Sequence, residues 1–229
     1  MKYTNRLEAG QLLAERLKKY RSENDYVYAL PRGGVVVASP IAENLHAPLG
    51  LIFVRKIGSP WDKEVAVAAV SESGEVVGGG EYLSRVPDAW FKERVEEQLS
   101  EIKRQRYEYL GDAYSPICDR GLAIIVDDGV ATGLTLQAAI AEVTKFNPRR
   151  IIVAVPIITK SVYDDIMRKV DRIIALEVCS DDEFKGSISN YYQDFSQVSD
   201  EEVITILRNH EEEQVVDDIK DVLRNIARY

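Results

Sequence analysis

The sequence predicts an α/β fold built on an open, doubly wound, mostly parallel sheet, and three observations favour it. Short apolar segments alternate along the chain with longer segments of helical periodicity. Most of the apolar segments are continuous runs, which is typical of parallel strands covered on both faces. The chain has 229 residues, of which 45% are hydrophobic and 29% are charged. It therefore holds enough apolar material for one large domain with a core.

The predicted elements follow one another in a regular order, with glycine and proline between them. Strands are predicted at 26–30, 49–54, 121–126, 150–157 and 172–178, and a hairpin at 64–70 and 75–77. Helices are predicted at 7–20, 35–45, 88–110, 134–146 and 160–169, with Asp88 as the cap of the third. The polar segment 55–63 is predicted to be a loop. We expect one domain over 1–209, including a small hood, and a helical C-terminal extension over 210–229.

Charge and composition disfavour several classes of protein. The net charge of -9 argues against a nucleic-acid partner, because gripping a phosphate backbone requires a broad basic surface. Cys118 and Cys179 lie far apart, and His46 and His210 are isolated, so we expect buried thiols and no zinc site. No segment approaches the roughly 18 apolar residues of a membrane span. We therefore expect a cytoplasmic protein without a membrane partner.

The segment 122–143 carries the strongest functional signal. A buried strand, LAIIV, ends in Asp127 and Asp128, and a turn of small residues then leads into a helix. In open α/β sheets, ligands bind beyond the carboxyl ends of the strands, and a helix amino terminus offers unpaired N–H groups to an anion. Thr132 and Thr135 add hydroxyl donors, and Gly133 allows a tight, left-handed backbone. The turn is therefore suited to a terminal phosphate.

The two aspartates narrow the chemistry of the ligand. Carboxylates repel phosphate, so a ligand that binds beside them must also present hydroxyls or a divalent cation, as a phosphorylated ribose would. A P-loop is excluded because no lysine lies between Asp127 and Lys145, and the dinucleotide fingerprint GxGxxG is absent from 127–135. A simple strand–turn–helix, in which the aspartates only cap the helix, is the alternative that the pattern leaves open.

The segment VDDGVATGLT resembles the 5-phosphoribosyl-1-pyrophosphate (PRPP) motif of the type I phosphoribosyltransferases. Together with ALPRGGV and VRKIG, it is most similar to a little-characterised bacterial and archaeal group of that family, and the tail after about residue 209 lies outside the likeness. The resemblance implies that Asp127 and Asp128 contact the ribose hydroxyls and that the turn holds the 5′-phosphate. It assigns PRPP binding in the turn to Gly129, Ala131, Thr132, Gly133 and Thr135.

Two further segments match the family in order along the chain. The resemblance implies a pyrophosphate loop at Arg32, Gly33 and Gly34, although a simple turn would have the same sequence. The pair Arg55 and Lys56 follows the second strand and would also bind pyrophosphate, for which arginine offers bidentate contacts. A solvated loop is the alternative for this pair.

The resemblance also implies an activity. The expected reaction transfers the phosphoribosyl group of magnesium-bound PRPP to an unidentified nitrogen nucleophile and releases pyrophosphate. Asp127, Asp128, Arg55 and Lys56 are the expected catalytic residues, and the two aspartates would contact Mg²⁺ mainly through substrate and water. The family further implies a homodimer.

The acceptor is less defined than the donor. The 6-oxopurine members carry an acid at the position of Ala131, so alanine there disfavours hypoxanthine or guanine as acceptor. Asp62 and Glu64 are the next acids to consider, within a mobile loop expected at about 57–80. The hood would comprise the N-terminal helix and 191–195, whose aromatic side chains would either stack on a base or belong to the core.

Two other functions compete with the transferase. A PRPP-sensing regulator would bind the same ligand without useful turnover, because one fold can host sensors as well as catalysts. A hydrolase or phosphorylase acting on a phosphosugar would need no nitrogen acceptor. The dependence of pyrophosphate release on an added base separates the three.

Overall fold

The computed structural model describes residues 2–21, 25–62, 65–78, 83–113 and 118–226, with side chains of the last helix described as far as residue 216. The strands are β1 (Asp25–Ala29), β2 (Leu49–Leu51), β3 (Val54–Gly58), β4 (Ala66–Ser71), β5 (Val76–Gly78), β6 (Leu122–Val126), β7 (Arg150–Thr159) and β8 (Arg172–Cys179). The helices are α1 (Arg6–Leu17), α2 (Gly33–Leu45), α3 (Asp88–Leu110), α4 (Leu134–Thr144), α5 (Lys160–Met167) and α6 (Asp200–Ile226).

Five of the strands form a parallel sheet in the order β2-β1-β6-β7-β8, which confirms the predicted fold class. The ladder pairs Ala29 of β1 with Val126 of β6, and Val126 with Ala154 of β7. The segments that follow β1 and β6 therefore leave the sheet side by side at one edge. This register places the PRGG segment (residues 31–34) next to the two aspartates.

Side chains from both faces of the sheet are buried, as continuous apolar strands require. On one face Val27, Ile124 and Val126 pack against α1 and α2, and on the other Ile125 and Val153 pack against α4 and α5. Adjacent residues of one strand thus enter different halves of the core. Both cysteines are buried and unpaired with each other, as expected.

A second sheet, antiparallel and in the order β3-β4-β5, begins at Val54, three residues after the end of β2. The predicted hairpin is confirmed by the pairing of Val70 with Val76 across β4 and β5. The prediction of a loop at 55–63 was wrong in its first part, because Arg55 and Lys56 pair with β4 in a strand. Ile57 is buried while Lys56 is exposed, so the strand has one buried face and one exposed face. The sequence did not indicate this, because most of the residues around Ile57 are polar.

Two smaller expectations also differ from the structure. The strand predicted at 49–54 is interrupted after Leu51, and Val54 begins the second sheet. Asp88 is the first residue of α3 and not its cap, because the cap position is held by Pro87 without a side-chain hydrogen bond. The carboxylate of Asp88 still lies in the first turn, where its negative charge interacts favourably with the positive end of the helix dipole.

The last helix, α6, runs from Asp200 through residue 226 without a break. Val203 and Leu207 in its first half are buried in the core, and the exposed Val215 lies further along. Over the described residues, none of the helices combines the length and apolar character needed to cross a bilayer. The homodimer, the cytoplasmic location and the division at residue 209 stay predictions.

Candidate functional site

The loop after β6 is fixed to the neighbouring strand β7. The N–H of Val130 donates to the carbonyl of Ile157 at 2.9 Å, and the hydroxyl of Thr159 donates to the carbonyl of Ala131 at 3.1 Å. Gly129 packs against Ile188, since a Cβ there would overlap a methyl carbon of Ile188. Thr132 is exposed at the surface of the loop. The loop is therefore held in a defined shape at the carboxyl edge of the sheet.

Gly133 forms the junction between this loop and α4. Its φ of 75° lies in the left-handed region, and a Cβ there would approach a methyl carbon of Val162 to 2.6 Å. The first hydrogen bond of the helix joins the N–H of Gln137 to the carbonyl of Gly133. The N–H groups before Gln137 are the unpaired ones that begin every helix, and they are suited to an anion.

The PRGG segment touches the aspartates through its glycines. The N–H of Leu30 donates to the carbonyl of Val126 at 3.0 Å, so the segment begins where the ladder ends. A Cβ at Gly33 would overlap the Oδ2 atom of Asp128, and a Cβ at Gly34 would lie 3.2 Å from the Cα of Asp127. The peptide between Pro31 and Arg32 is cis. Only glycine permits this approach of the two segments.

The two aspartates share one small region. The N–H of Asp128 donates to Oδ1 of Asp127 at 2.9 Å, and Nε of Arg6 donates to Oδ2 of Asp128 at 2.7 Å. Burial raises the pKa of Asp127, with the charge of Asp128 as the second cause. Burial also raises the pKa of Asp128, against which the hydrogen bond from Arg6 acts. The pair is therefore suited to a ligand that brings hydroxyl donors or positive charge.

A cavity of about 570 Å³ is lined by residues that follow β1 and by residues of β3, α3 and the starts of α4 and α6. Lys56, one of its lining residues, is close enough for its charge to oppose the rise in pKa that burial causes in both aspartates. Arg32, Arg55 and Lys56, the basic residues predicted to bind pyrophosphate, line this cavity, whereas the two glycines of the PRGG segment lie against the aspartates. Thr135, from the predicted phosphate turn, lines it as well. Segments distant in sequence thus bring one hydroxyl and four basic side chains, the fourth being Arg104 of α3, to one recess.

The cavity also includes polar residues that the sequence reasoning missed. Arg55 donates through Nε to the side chain of Gln98 at 2.9 Å and lies 3.9 Å from a carboxylate oxygen of Glu101. Arg32 lies 3.5 Å from a carboxylate oxygen of Asp200. Gln98, Glu101 and Gln105 occupy one helical face, so their spacing carried a signal. Only the apolar face of that helix entered the prediction.

The expected aromatic hood is largely core. Tyr191 and Tyr192 are 1% and 2% exposed and pack with Tyr3, which favours the alternative that they anchor the chain. The hydroxyl of Tyr192 donates to the backbone carbonyl of Asp128 at 2.7 Å, which holds the backbone of the acidic pair in place. Phe195 lies against the guanidinium of Arg6. Asp62 is exposed, and Glu64 lies outside the described residues.

Glu101 gives a prediction about the affinity of the cavity for anions. We expect Glu101→Gln to bind inorganic pyrophosphate about 3- to 10-fold more tightly, because like-charge repulsion across several ångströms is worth about 1 kcal/mol near a surface. Titration calorimetry at low and high salt measures this, and the gain should shrink as salt screens it. Glu108→Gln is the matched control, since Glu108 pairs with the same Arg104 as Glu101 does. Equal affinities of the two variants would contradict the prediction.

The fold and the loops at its carboxyl edge define an α/β protein with a candidate ligand site beyond the ends of its parallel strands. A family model, described as Phosphoribosyl transferase domain, matches residues 4–195, and the chain belongs to the phosphoribosyltransferase family. Proteins named "Putative phosphoribosyl transferase" from two strains of Mycobacterium tuberculosis, CDC 1551 / Oshkosh and H37Rv, are each 32% identical over 212 residues. The match covers 90% of this chain and 46% of each relative, so the chain spans about half their length.

A solved structure shows the same fold over nearly its whole length. The crystal structure of TT1426 from Thermus thermophilus has a TM-score of 0.71 and 34% sequence identity. The alignment covers 90% of this chain and 98% of that one.

Proposed function

We propose that the protein is a magnesium-dependent phosphoribosyltransferase that transfers the phosphoribosyl group of PRPP to a nitrogenous base or related nucleophile. One observation carries the proposal: the acidic pair packs against the PRGG segment, whose Arg32 lines the cavity. Arg55, Lys56 and Thr135, the last from the start of α4, line the same cavity. PRPP presents the groups that such a site suits, namely a monophosphate, a sugar diol and a diphosphate.

The chemistry follows from this arrangement. A nitrogen lone pair of the acceptor attacks C1′ of the ribose, and the bond from C1′ to the pyrophosphate oxygen breaks with inversion. The bonding electrons leave with pyrophosphate, and the acceptor nitrogen releases its proton to solvent. Arg32, Arg55 and Lys56 would stabilise the leaving group, and Asp127 and Asp128 would orient the hydroxyls and stabilise positive charge at C1′.

The residues present fit a magnesium ion that arrives with its substrate. Over the described residues, no group of three or more acidic, histidine or cysteine side chains is arranged to hold a metal. Mg²⁺ is commonly bound through one or two carboxylates together with substrate phosphates and water, and Asp127 and Asp128 can supply that share. When bound, the ion would neutralise charge on the leaving pyrophosphate.

A regulator that binds PRPP without turnover is the second candidate, and one observation favours it. Ala131 occupies the position where an acid assists at the base in the 6-oxopurine members, and its carbonyl is bonded to Thr159. Within the described part of the cavity wall, the carboxylates are those of Glu101 and Asp200, which lie against Arg55 and Arg32. A transferase with this site would need an acceptor whose reaction requires no acidic side chain from the loop after β6.

The test is an incubation with magnesium and PRPP, with and without a panel of nitrogenous bases, in which pyrophosphate release is followed. Release that depends on one base supports the transferase. Binding without release supports the regulator, and release without any base supports a hydrolase. Absence of PRPP binding at millimolar concentration would reject all three.

Arg55 should distinguish the two ends of the donor. We expect Arg55→Ala to weaken pyrophosphate binding about 10-fold or more and nucleoside monophosphate binding by less than about 3-fold, because a charge-assisted contact is worth about 1.5–3 kcal/mol. Titration calorimetry with both ligands measures the two losses. Arg168→Ala, which removes an exposed arginine paired with Asp165, is the control. Equal losses for the two ligands would remove Arg55 from this role.

A further inference from the structure

Arg6, the first residue of α1, makes an unusual set of contacts for a residue near the start of the chain. Its Nε donates to Oδ2 of Asp128 at 2.7 Å, and a terminal nitrogen donates to the carbonyl of Ser196 at 2.8 Å. The guanidinium carbon lies 3.6 Å from the centre of the ring of Phe195. The edge and one face of the guanidinium are therefore engaged, which fixes its orientation.

The pairing with Asp128 is enclosed. The side chains of Arg6 and Asp128 are 11% and 18% exposed, so the charges are largely removed from water. A Cβ on Gly33 would lie 2.8 Å from Nε of Arg6, which shows how tightly the PRGG segment closes over the pair. A partly buried ion pair of this kind contributes little to stability compared with an apolar contact, so its main effect here is to fix the orientation of the two charged groups.

Among the described residues, hydrogen bonds hold one carboxylate oxygen of each aspartate. Oδ1 of Asp127 accepts from the N–H of Asp128, and Oδ2 of Asp128 accepts from Arg6. Arg6 holds one carboxylate oxygen of Asp128, and the hydroxyl of Tyr192 holds the backbone carbonyl of the same residue. The carboxylate is therefore oriented before a ligand arrives. Pre-set acceptors bind hydroxyls without the cost of ordering them.

We propose that Arg6 is a positioning residue for the recognition of a vicinal diol, holding the Asp128 carboxylate in the orientation that accepts a ribose hydroxyl. The inference rests on the proposed function and adds the residue that makes the site selective for ribose over deoxyribose. Through Ser196 and Phe195, the same side chain ties this selectivity to the segment that follows the buried tyrosines.

The test compares ribose 5-phosphate with 2-deoxyribose 5-phosphate by titration calorimetry in wild type and in Arg6→Gln. We expect the wild type to prefer ribose 5-phosphate by about 10-fold or more, because a hydroxyl bonded to a charged acceptor is at stake. Arg6→Gln should reduce that preference to about 3-fold or less, with little change for the deoxy sugar. A purely structural role would weaken both sugars equally, and that outcome would overturn the inference.

Two further variants keep the test decisive. Arg16→Gln is the matched control, because Arg16 lies on the same helix, is exposed and donates to the carbonyl of Ala175 away from the aspartates. It should keep the wild-type preference. Arg6→Lys should give an intermediate preference, because an ammonium can remain near Asp128 without also reaching Ser196 in the same plane. An undiminished preference in Arg6→Lys would overturn the inference, and a wild type that binds neither sugar would reject the proposed function with it.

Discussion

Gly33→Ala is expected to lower the affinity for PRPP by about 5- to 150-fold. The added Cβ would overlap Oδ2 of Asp128, a short side chain that the contact with Arg6 prevents from moving. Either the PRGG segment moves away from the acidic pair or the contact with Arg6 breaks, and overpacking of this kind costs about 1–3 kcal/mol. Titration calorimetry with PRPP and magnesium measures the loss.

The control for this prediction separates strain from site geometry. Gly186 has a φ of 79° with nothing within 4 Å of its would-be Cβ, so Gly186→Ala strains the backbone away from the aspartates. We expect Gly186→Ala to lower the melting temperature and leave PRPP affinity unchanged. If both variants bind PRPP with the affinity of the wild type, the close approach of the PRGG segment to Asp128 does not contribute to PRPP binding.

Asp127→Asn is expected to weaken binding and to stabilise the protein at the same time. The amide keeps the shape and the acceptor oxygen for the N–H of Asp128, but it removes a charge whose burial raises the pKa of Asp127. Loss of a charged acceptor for a ribose hydroxyl should weaken PRPP binding about 10- to 100-fold. Stability should rise because the variant no longer has to bury a second negative charge beside Asp128.

The direction with pH follows from the raised pKa. An aspartate in the unfolded chain has a pKa of about 3.9, so above that pH unfolding releases a proton that the folded protein still holds. The wild type therefore loses stability as pH rises from about 4 towards the raised pKa, and Asp127→Asn does not. Thermal melts from pH 4 to pH 8 should show an advantage of the variant that grows with pH.

The exposed Asp165 provides the matched control for these melts. Asp165→Asn removes a carboxylate that pairs with Arg168 at the surface, where the charge is already solvated. Its melting temperature should follow that of the wild type across the pH range. An advantage of Asp127→Asn that stays constant with pH, or falls as pH rises, would contradict the assignment of the penalty to a buried charge.

The parts of the fold that local sequence determines could be predicted. The strand before Asp127, the turn and α4 form one continuous segment whose signals are adjacent in the chain, and the structure has the elements as predicted. The strand at Val54–Gly58 could not be predicted from its own residues, because Arg55 and Lys56 gain strand geometry only by pairing with β4. Pairing of that kind depends on tertiary contact more than on propensity.

The candidate site divides in the same way. Aspartates, glycines and basic residues were found because their type and order match a motif, and the cavity unites several of them. Arg6 was missed because 122 positions separate it from Asp128, and nothing in the spacing of an N-terminal helix indicates such a contact. The acidic groups opposite Arg32 and Arg55 were missed for a related reason, since Asp200 begins a helix whose sequence indicates only a charged tail.

The pairing of Ala29 with Val126 has a wider consequence. Adjacent parallel strands lie about 4.8 Å apart, so hydrogen bonds of the sheet set the offset between the PRGG segment and the aspartates. That offset does not change when residues are inserted elsewhere in the chain. In the proposed site, surface segments on the acceptor side can therefore lengthen, shorten or change composition while the spacing between the PRGG segment and the aspartates stays the same.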